Sequence, residues 1–320
     1  MRATVCTLFE GSYHYGVAAL ANSLHRAGFK GLIYAGMRGD LPPWAEASQL
    51  VDIPMWPGAR TMLVDEHLQI IFLPLNTDYH LTNYKPQFML DLMHGPAVDS
   101  EAIFYFDPDI CVARDWEYFE QWVECGVAMC EDVNSPMSEN HPHRVGWRRF
   151  YANHGLTLRF RESFYMNGGF VGLRRSEVRF LVHWMRTIEL MSFVVGPLSM
   201  GLGAKGAYRS VGFAECFLNT DQDALNAAVE ASDTAVSIIG KSAMAFSPGT
   251  ACLPHAVGFG KPWQRNYTAG MMRGYPPRLI DKLFWQNMYG PIKPFSVSRL
   301  FAIRLQLSVA SLVGRFYRRN

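Results

Sequence analysis

Short apolar runs and helix-period stretches take turns along most of the chain. Residues 3–9 are apolar and β-branched and predict a strand. Residues 15–27 follow with apolar side chains at 17, 20, 21 and 24, the spacing of one helix face. Residues 31–35 predict a second strand, and 70–75 form another apolar run. A helix around 86–93 precedes 101–106, a strand apolar enough to be buried on both faces. Residues 116–122 predict a helix, 126–130 a strand, and 220–229 a clear helix. Strands alternating with helices imply an α/β fold with a largely parallel sheet.

Two segments break the pattern. Residues 134–165 are rich in Asn, His, Arg and aromatics with little periodicity, and predict an inserted loop. Residues 194–212, with five glycines and a proline, predict a second loop. No internal repeat is visible.

The most informative run is Ile103-Phe104-Tyr105-Phe106-Asp107-Pro108-Asp109. An apolar strand ends in two carboxylates one residue apart, and ligand sites in open α/β sheets lie at the carboxyl ends of strands. Two hard oxygen donors there suit Mg²⁺ or Mn²⁺, which would neutralise phosphate oxygens. The alternative is a plain turn, since Asp and Pro both favour turns. Three further segments bear on the choice. Met166-Asn167-Gly168-Gly169 places an amide and two glycines, which permit close backbone approach, before an apolar strand. Thr220-Asp221-Gln222-Asp223-Ala224-Leu225-Asn226 opens a helix. His255-Ala256-Val257-Gly258-Phe259-Gly260-Lys261-Pro262-Trp263 offers an imidazole, flexible glycines and a cation suited to phosphate.

Together these segments resemble the family 8 glycosyltransferases, and among them the bacterial lipooligosaccharide galactosyltransferases. The last segment fits the family pattern His-x-x-Gly-x-x-Lys-Pro-Trp, and the Asp-x-Asp, Asn-x-Gly and Asp-Gln-Asp-x-Leu-Asn segments follow in the family's order. The resemblance runs from about residue 3 to 275. It implies a GT-A (Rossmann-like) sheet flanked by helices over residues 1–275, and a retaining, metal-dependent transfer of a hexose from a nucleotide sugar to a glycan or glycolipid.

The resemblance also assigns roles. Mn²⁺, or Mg²⁺, falls to Asp107, Asp109 and His255. Lys261 contacts the diphosphate and stabilises the leaving nucleotide, and Gly258 lets the backbone approach the phosphates; the alternative for Lys261 is a solvated loop lysine. Tyr13 stacks on the base, with Glu10 near it and UDP as the expected nucleotide; the Glu-Gly-Ser-Tyr spelling departs from the family's usual one. Lys85 lies near the sugar nucleotide. Asn167 and Gly169 line the donor-sugar pocket, and Asp221 and Gln222 meet the sugar's hydroxyls and anomeric region. Asp221 and Asp223 have a second explanation in the helix dipole, with Thr220 as N-cap and Asp223 at the third helical position. Trp263 reads as packing. A glutamine nearest the anomeric carbon is a poor nucleophile, so front-face substitution is favoured over double displacement.

Two other functions compete. A phosphatase of the haloacid dehalogenase type also places Asp-x-Asp after an apolar strand, without calling for the His255–Trp263 segment. A catalytically silent sugar-nucleotide or glycan binder would keep the same residues.

Composition adds three limits. Of 320 residues, 49% are apolar and 13% aromatic, which excludes disorder and supplies ample core. The net charge of +2 argues against a nucleic-acid partner. None of the six cysteines forms the CxxC of a structural zinc site. The charge is unevenly placed. After Asp281 there is no acidic residue but seven basic ones: Lys282, Lys293, Arg299, Arg304, Arg315, Arg318 and Arg319. Removing these from the 30 basic residues leaves 23 against 28 acidic, so the body carries −5.

Residues 276–320 therefore form a basic C-terminal region, and 298–319 predict an amphipathic helix. Its polar stripe is Arg304, Ser308, Ser311, Arg315 and Arg318, and its wide apolar surface suits an anionic membrane. The alternative is a helix docked on the body or on a second copy. The 134–165 insert, with His141, His143, Trp147, Arg148, Arg149, Tyr151 and His154, suits a glycan acceptor or a surface loop. No leader and no spanning helix are expected, which places the protein in the cytoplasm, peripheral at the inner face of the plasma membrane.

Overall fold

Val5, Cys6, Thr7, Leu8 and Phe9 are all buried, so the first strand has no solvent face and both its sides must be covered. The computed structural model, which describes residues 1–201, 216–258, 260–314 and 316–317, meets this demand with one nine-stranded sheet between two helical layers. Strand β1 (Ala3–Glu10) lies parallel to β2 (Gly31–Arg38) and to β6 (Ala102–Phe106), and β2 lies parallel to β5 (Leu68–Pro74). The remaining strands are β3 (Gln49–Leu50), β4 (Arg60–Leu63), β7 (Val127–Glu131), β8 (Met166–Arg174) and β9 (Val236–Ile239). The order across the sheet is β3-β4-β5-β2-β1-β6-β8-β7-β9.

The sheet is mixed rather than largely parallel. β8 runs antiparallel to both β6 and β7, and β4 antiparallel to β3 and β5. The expectation of a polar amide and glycines before a strand is corrected too: Asn167, Gly168 and Gly169 lie inside β8. There Gly172 accepts the Phe104 ring, to which an added Cβ would come within 2.7 Å.

On one face α1 (His14–Arg26) and α3 (Trp116–Trp122) join α8 (Leu279–Asn287) over Val5, Ile33 and Phe104. The opposite face carries α2 (Leu81–His94), α4 (Pro142–Asn153), α5 (Arg179–Val195) and α6 (Thr220–Ala231) over Leu8, Tyr34 and Ile71. Helices α7 (Tyr267–Met272) and α9 (Val297–Val313) complete the chain; α9 packs on α7 and α8 through Leu300, Leu307 and Ala310. Among the described residues, no helix is long and apolar enough to cross a membrane.

The segment 134–165 contains a core helix. Trp147 and Tyr151, expected to face an acceptor or to lie in a surface loop, are fully buried; Trp147 Nε1 donates to the Cys216 carbonyl at 2.8 Å and the Tyr151 hydroxyl to the Thr187 carbonyl at 2.9 Å. Periodicity hid α4 because its buried face includes Arg144, whose guanidinium is neutralised by a short ion pair with buried Glu230. Most of the 194–212 segment, from 202 onward, and Arg315, Arg318 and Arg319 lie outside the described residues. The α6 N-cap is Asn219 rather than Thr220. Asp223 still serves that helix end, accepting from Leu218 N at 2.7 Å and Asn219 N at 2.8 Å.

Candidate active site

β6 ends at Phe106 because Pro108 cannot extend the ladder. The last rung is the Asp107 amide donating to the Gly169 carbonyl at 2.7 Å, which sets Asp107 at the carboxyl edge of the sheet. Beneath the turn, α1 approaches so closely at Gly16 that any Cβ would run into the Pro108 carbonyl. Opposite it, a bridge between Ile110 and His255, with the Ala256 amide donating to the Asp109 carbonyl at 3.1 Å, holds the imidazole beside the turn.

His255 Nε2 lies 3.2 Å from Asp109 Oδ1 and 3.7 Å from Asp107 Oδ2. One donor atom from each of Asp107, Asp109 and His255 falls within 4.8 Å of the others. Two carboxylates and an imidazole in that span fit a hard divalent cation. The imidazole sits flat against β8: a Cβ on Gly169 would come 2.5 Å from its Cε1 and 2.9 Å from Nδ1. Glycine at 169 therefore makes room for the histidine.

Two ammonium groups flank the triad. Lys261 Nζ donates to Asp109 Oδ2 at 2.6 Å and to the Ala256 carbonyl at 2.7 Å. Lys85 Nζ, 2% exposed, lies 3.1 Å from Asp107 Oδ1 and 3.1 Å from Asp221 Oδ2 and donates to the Gly168 carbonyl at 2.9 Å. The Tyr105 hydroxyl donates to Asp107 Oδ1 at 2.9 Å.

This lattice fixes protonation. Burial pushes the Asp109 carboxyl up, but His255 and Lys261 outweigh it and hold it well below the usual carboxylate range. Burial depresses the Lys85 and Lys261 ammoniums, yet the carboxylates beside them hold both above the ordinary lysine value. Asp221 is pushed up by burial against the pull of Lys85. With the imidazole neutral, as metal ligation requires, three ionised carboxylates against two ammoniums carry one negative charge, and a bound divalent cation would turn the cluster to +1, complementary to a diphosphate.

Asp221 and Gln222 stand in the first turn of α6. Asp221 Oδ1 is buried with no hydrogen-bond partner among the described residues, an unused acceptor at the cavity wall. Gln222 Oε1 accepts from the Gly168 amide at 3.1 Å. Asn167 Oδ1 accepts from the Gly169 amide at 2.9 Å.

Tyr13 ends the short 3₁₀ turn after β1, its ring edge-on to Trp263 at 5.5 Å and 5.7 Å from Lys261 Nζ. Trp263 is buried, as a packing residue should be. Glu10 is exposed and 3.4 Å from the Arg38 guanidinium. Gly258 has φ +80° with open space around it, a conformation glycine adopts without strain.

All twelve residues that the resemblance assigns to the metal or the sugar nucleotide line one cavity of about 370 Å³. That cavity has walls the sequence reading missed. Asp132, 3% exposed, follows β7 and accepts from Asn167 Nδ2 at 2.7 Å. The signal that could have found it is the one used for Asp107: a carboxylate just beyond a buried strand. His80 and Asn219 also line the cavity and carry no such signal.

Sequence comparison finds no matching family model and no matching curated protein. Structural comparison finds many similar chains. The galactosyltransferase LgtC, solved in complex with donor and acceptor sugar analogues, superposes with a TM-score of 0.51 at 14% identity, covering 95% of this chain and 100% of LgtC. The bifunctional glycosyltransferase WbbM gives 0.49 at 12% identity over 94% of this chain and 51% of its own, and GlyE of Streptococcus pneumoniae TIGR4 gives 0.46 at 13% over 96% and 64%. The chain shares the α/β fold of LgtC over nearly its whole length.

Proposed function

We propose that the chain is a metal-dependent retaining glycosyltransferase that moves a hexose from a UDP-sugar to a glycan or glycolipid. The observation that carries the reading is the convergence, in an LgtC-like fold, of a three-donor metal set, two lysines and the Asp221–Gln222 pair on one cavity. Asp107, Asp109 and His255 would hold Mn²⁺ or Mg²⁺, which supplies charge neutralisation for the departing diphosphate. Lys261 holds the Asp109 carboxylate and stands beside the phosphate position, stabilising the negative charge that grows there. The Tyr13 ring offers a stacking face for the base. The open Asp221 Oδ1 accepts a donor-sugar hydroxyl and orients the anomeric carbon.

With glutamine at 222, retention proceeds by front-face substitution. The bond from the anomeric carbon to the phosphate oxygen breaks, the acceptor hydroxyl forms its bond on the same face, and the leaving phosphate takes the hydroxyl proton. No carboxylate changes its covalent state. The basic C-terminal region, with the outer apolar face of α9, would place the enzyme on an anionic membrane surface where glycolipid acceptors reside.

A panel of UDP-sugars with and without Mn²⁺, read by calorimetric binding and by release of UDP, tests this. One sugar should bind in a Mn²⁺-dependent way and be turned over, and Asp109→Asn should abolish the metal-dependent turnover while the circular dichroism spectrum stays unchanged. Absence of Mn²⁺-dependent binding to every sugar, or full turnover by the variant, would remove the reading. A covalent glycosyl adduct trapped on Asp221 would replace front-face substitution with double displacement.

A further inference from the structure

A second cavity lies at the C-terminal end of α1, whose N-terminal end adjoins the sugar site. It is about 760 Å³ and is walled by the end of α1, by α8 and by α9. Its floor is apolar: Trp285, Leu300 and Leu307 are all buried. Its rim is cationic, with Arg26, Lys282 and Arg304, and among the described residues no acidic side chain lines it. Among the described residues none of these three has a carboxylate within 4 Å; the Arg26 guanidinium reaches only the Gln286 carbonyl, at 3.3 Å. The one carboxylate of α8, Asp281, is fully buried and spent on Arg265 and Arg278. Ser308 and Ser311 supply hydroxyls beside Arg304.

The cavity opens onto an apolar ridge. In α9, Leu300, Leu307 and Ala310 face the body and Arg304, Ser308 and Ser311 face the cavity. The next row around the helix holds Phe301, Leu305 and Leu312, exposed by 69%, 58% and 56%. Leu312 belongs to both, lining the cavity while exposed. An ordinary soluble surface does not set large exposed apolar side chains beside an uncompensated cationic hollow with an apolar floor. A protein partner could cover the ridge but would leave the three cations in need of acidic groups. An anionic phospholipid satisfies both parts, with acyl chains against the ridge and the phosphodiester in the cationic rim.

The geometry points to the cavity between α1, α8 and α9 as a headgroup site for an anionic glycerophospholipid of a bilayer, engaged as the Phe301–Leu305–Leu312 ridge enters the interface. This rests on the membrane reading given above and sharpens it, since it makes the contact headgroup-selective. It also fixes orientation: the α8–α9 side faces the membrane, and the carboxyl edge of the sheet holds the sugar site.

Sedimentation of the full chain with vesicles of phosphatidylcholine alone, and of phosphatidylcholine containing phosphatidylglycerol, tests it. Near an anionic surface each basic side chain changes partitioning by about fivefold, so Lys282→Gln with Arg304→Gln should weaken binding to the anionic vesicles about 30-fold. The same pair should leave the weak binding to phosphatidylcholine and the release of UDP unchanged. Phe301→Ser with Leu305→Ser should weaken binding to both vesicle types. If the charge variant binds anionic vesicles like the parent, the headgroup site is wrong while the membrane reading stands. If the parent binds neither vesicle, both fall; if it sediments as a dimer that the ridge variant dissociates, both fall and a second copy covers the ridge.

Discussion

Lys85→Met isolates the most loaded contact in the site. The ammonium is 2% exposed and lies 3.1 Å from each of two carboxylates, Asp107 and Asp221. At that separation and an effective dielectric near 20, each pair carries about 5 kcal/mol of gross attraction. The net loss is smaller, because Asp107 is 21% exposed and can recover water, whereas Asp221 is 3% exposed and cannot. Leaving one buried charge without its partner costs about 3–5 kcal/mol. Methionine keeps the volume, so little of that is a packing loss. The deficit should depend on pH with a definite sign. Burial already raises the Asp221 carboxyl, and losing Lys85 raises it further. A carboxyl whose folded value exceeds its unfolded one contributes stability below its unfolded value and loses it as pH rises through the folded one. The variant should therefore be closest to the parent at acid pH and fall away toward neutrality. Adding Asp221→Asn removes the stranded charge and should recover most of the loss, giving a coupling energy of at least about 2 kcal/mol. Urea unfolding of the four proteins of the cycle at several pH values measures all of this. A single-variant deficit below about 1 kcal/mol, or no recovery in the double variant, would refute the claim that Lys85 compensates Asp221.

Three further outcomes are expected. Gly169→Ala should push the His255 ring off β8 and weaken Mn²⁺ binding, read by titration calorimetry, by about tenfold or more while the unfolding midpoint moves little, since the methyl points into the site. Glu230→Gln strands the buried Arg144 guanidinium and should cost about 3–5 kcal/mol in urea unfolding; an unchanged midpoint would mean that the pair is not closed in solution. Burial pushes the Asp223 carboxyl up to about 7. It should therefore add stability that is complete below about pH 4 and lost as pH rises through 7, at most about 4 kcal/mol. Asp223→Asn should flatten that slope, and a slope unchanged in the variant would assign it to another group.

Much of this protein is legible in one dimension. The continuous burial of β1 and β6 shows as runs of apolar and β-branched residues, and α1 and α3 are set by local periodicity, so their limits fall within a residue or two of expectation. The Asp-x-Asp and His255–Lys261 segments are equally local, and the fold brings all of the residues read from them to one cavity. What the chain conceals is whatever depends on a distant partner. Helix α4 reads as a polar loop because nothing near Arg144 in sequence announces Glu230, 86 residues away. The antiparallel course of β8 cannot be seen either, since strand direction depends on which neighbours it pairs with.

The sequence by itself determined the secondary elements whose burial is self-contained, and the chemical types available: two carboxylates, an imidazole and a lysine in recognisable spacing. Tertiary structure alone decided how those groups share charge. It placed Lys85 between Asp107 and Asp221, left Asp221 Oδ1 without a partner among the described residues, and turned Leu300, Leu307 and Ala310 of α9 inward while leaving Phe301, Leu305 and Leu312 outside. The reason is physical. Periodicity reports how one segment meets an average apolar surface, whereas the energy of a buried charge depends on the specific group, from any part of the chain, that lies about 3 Å away.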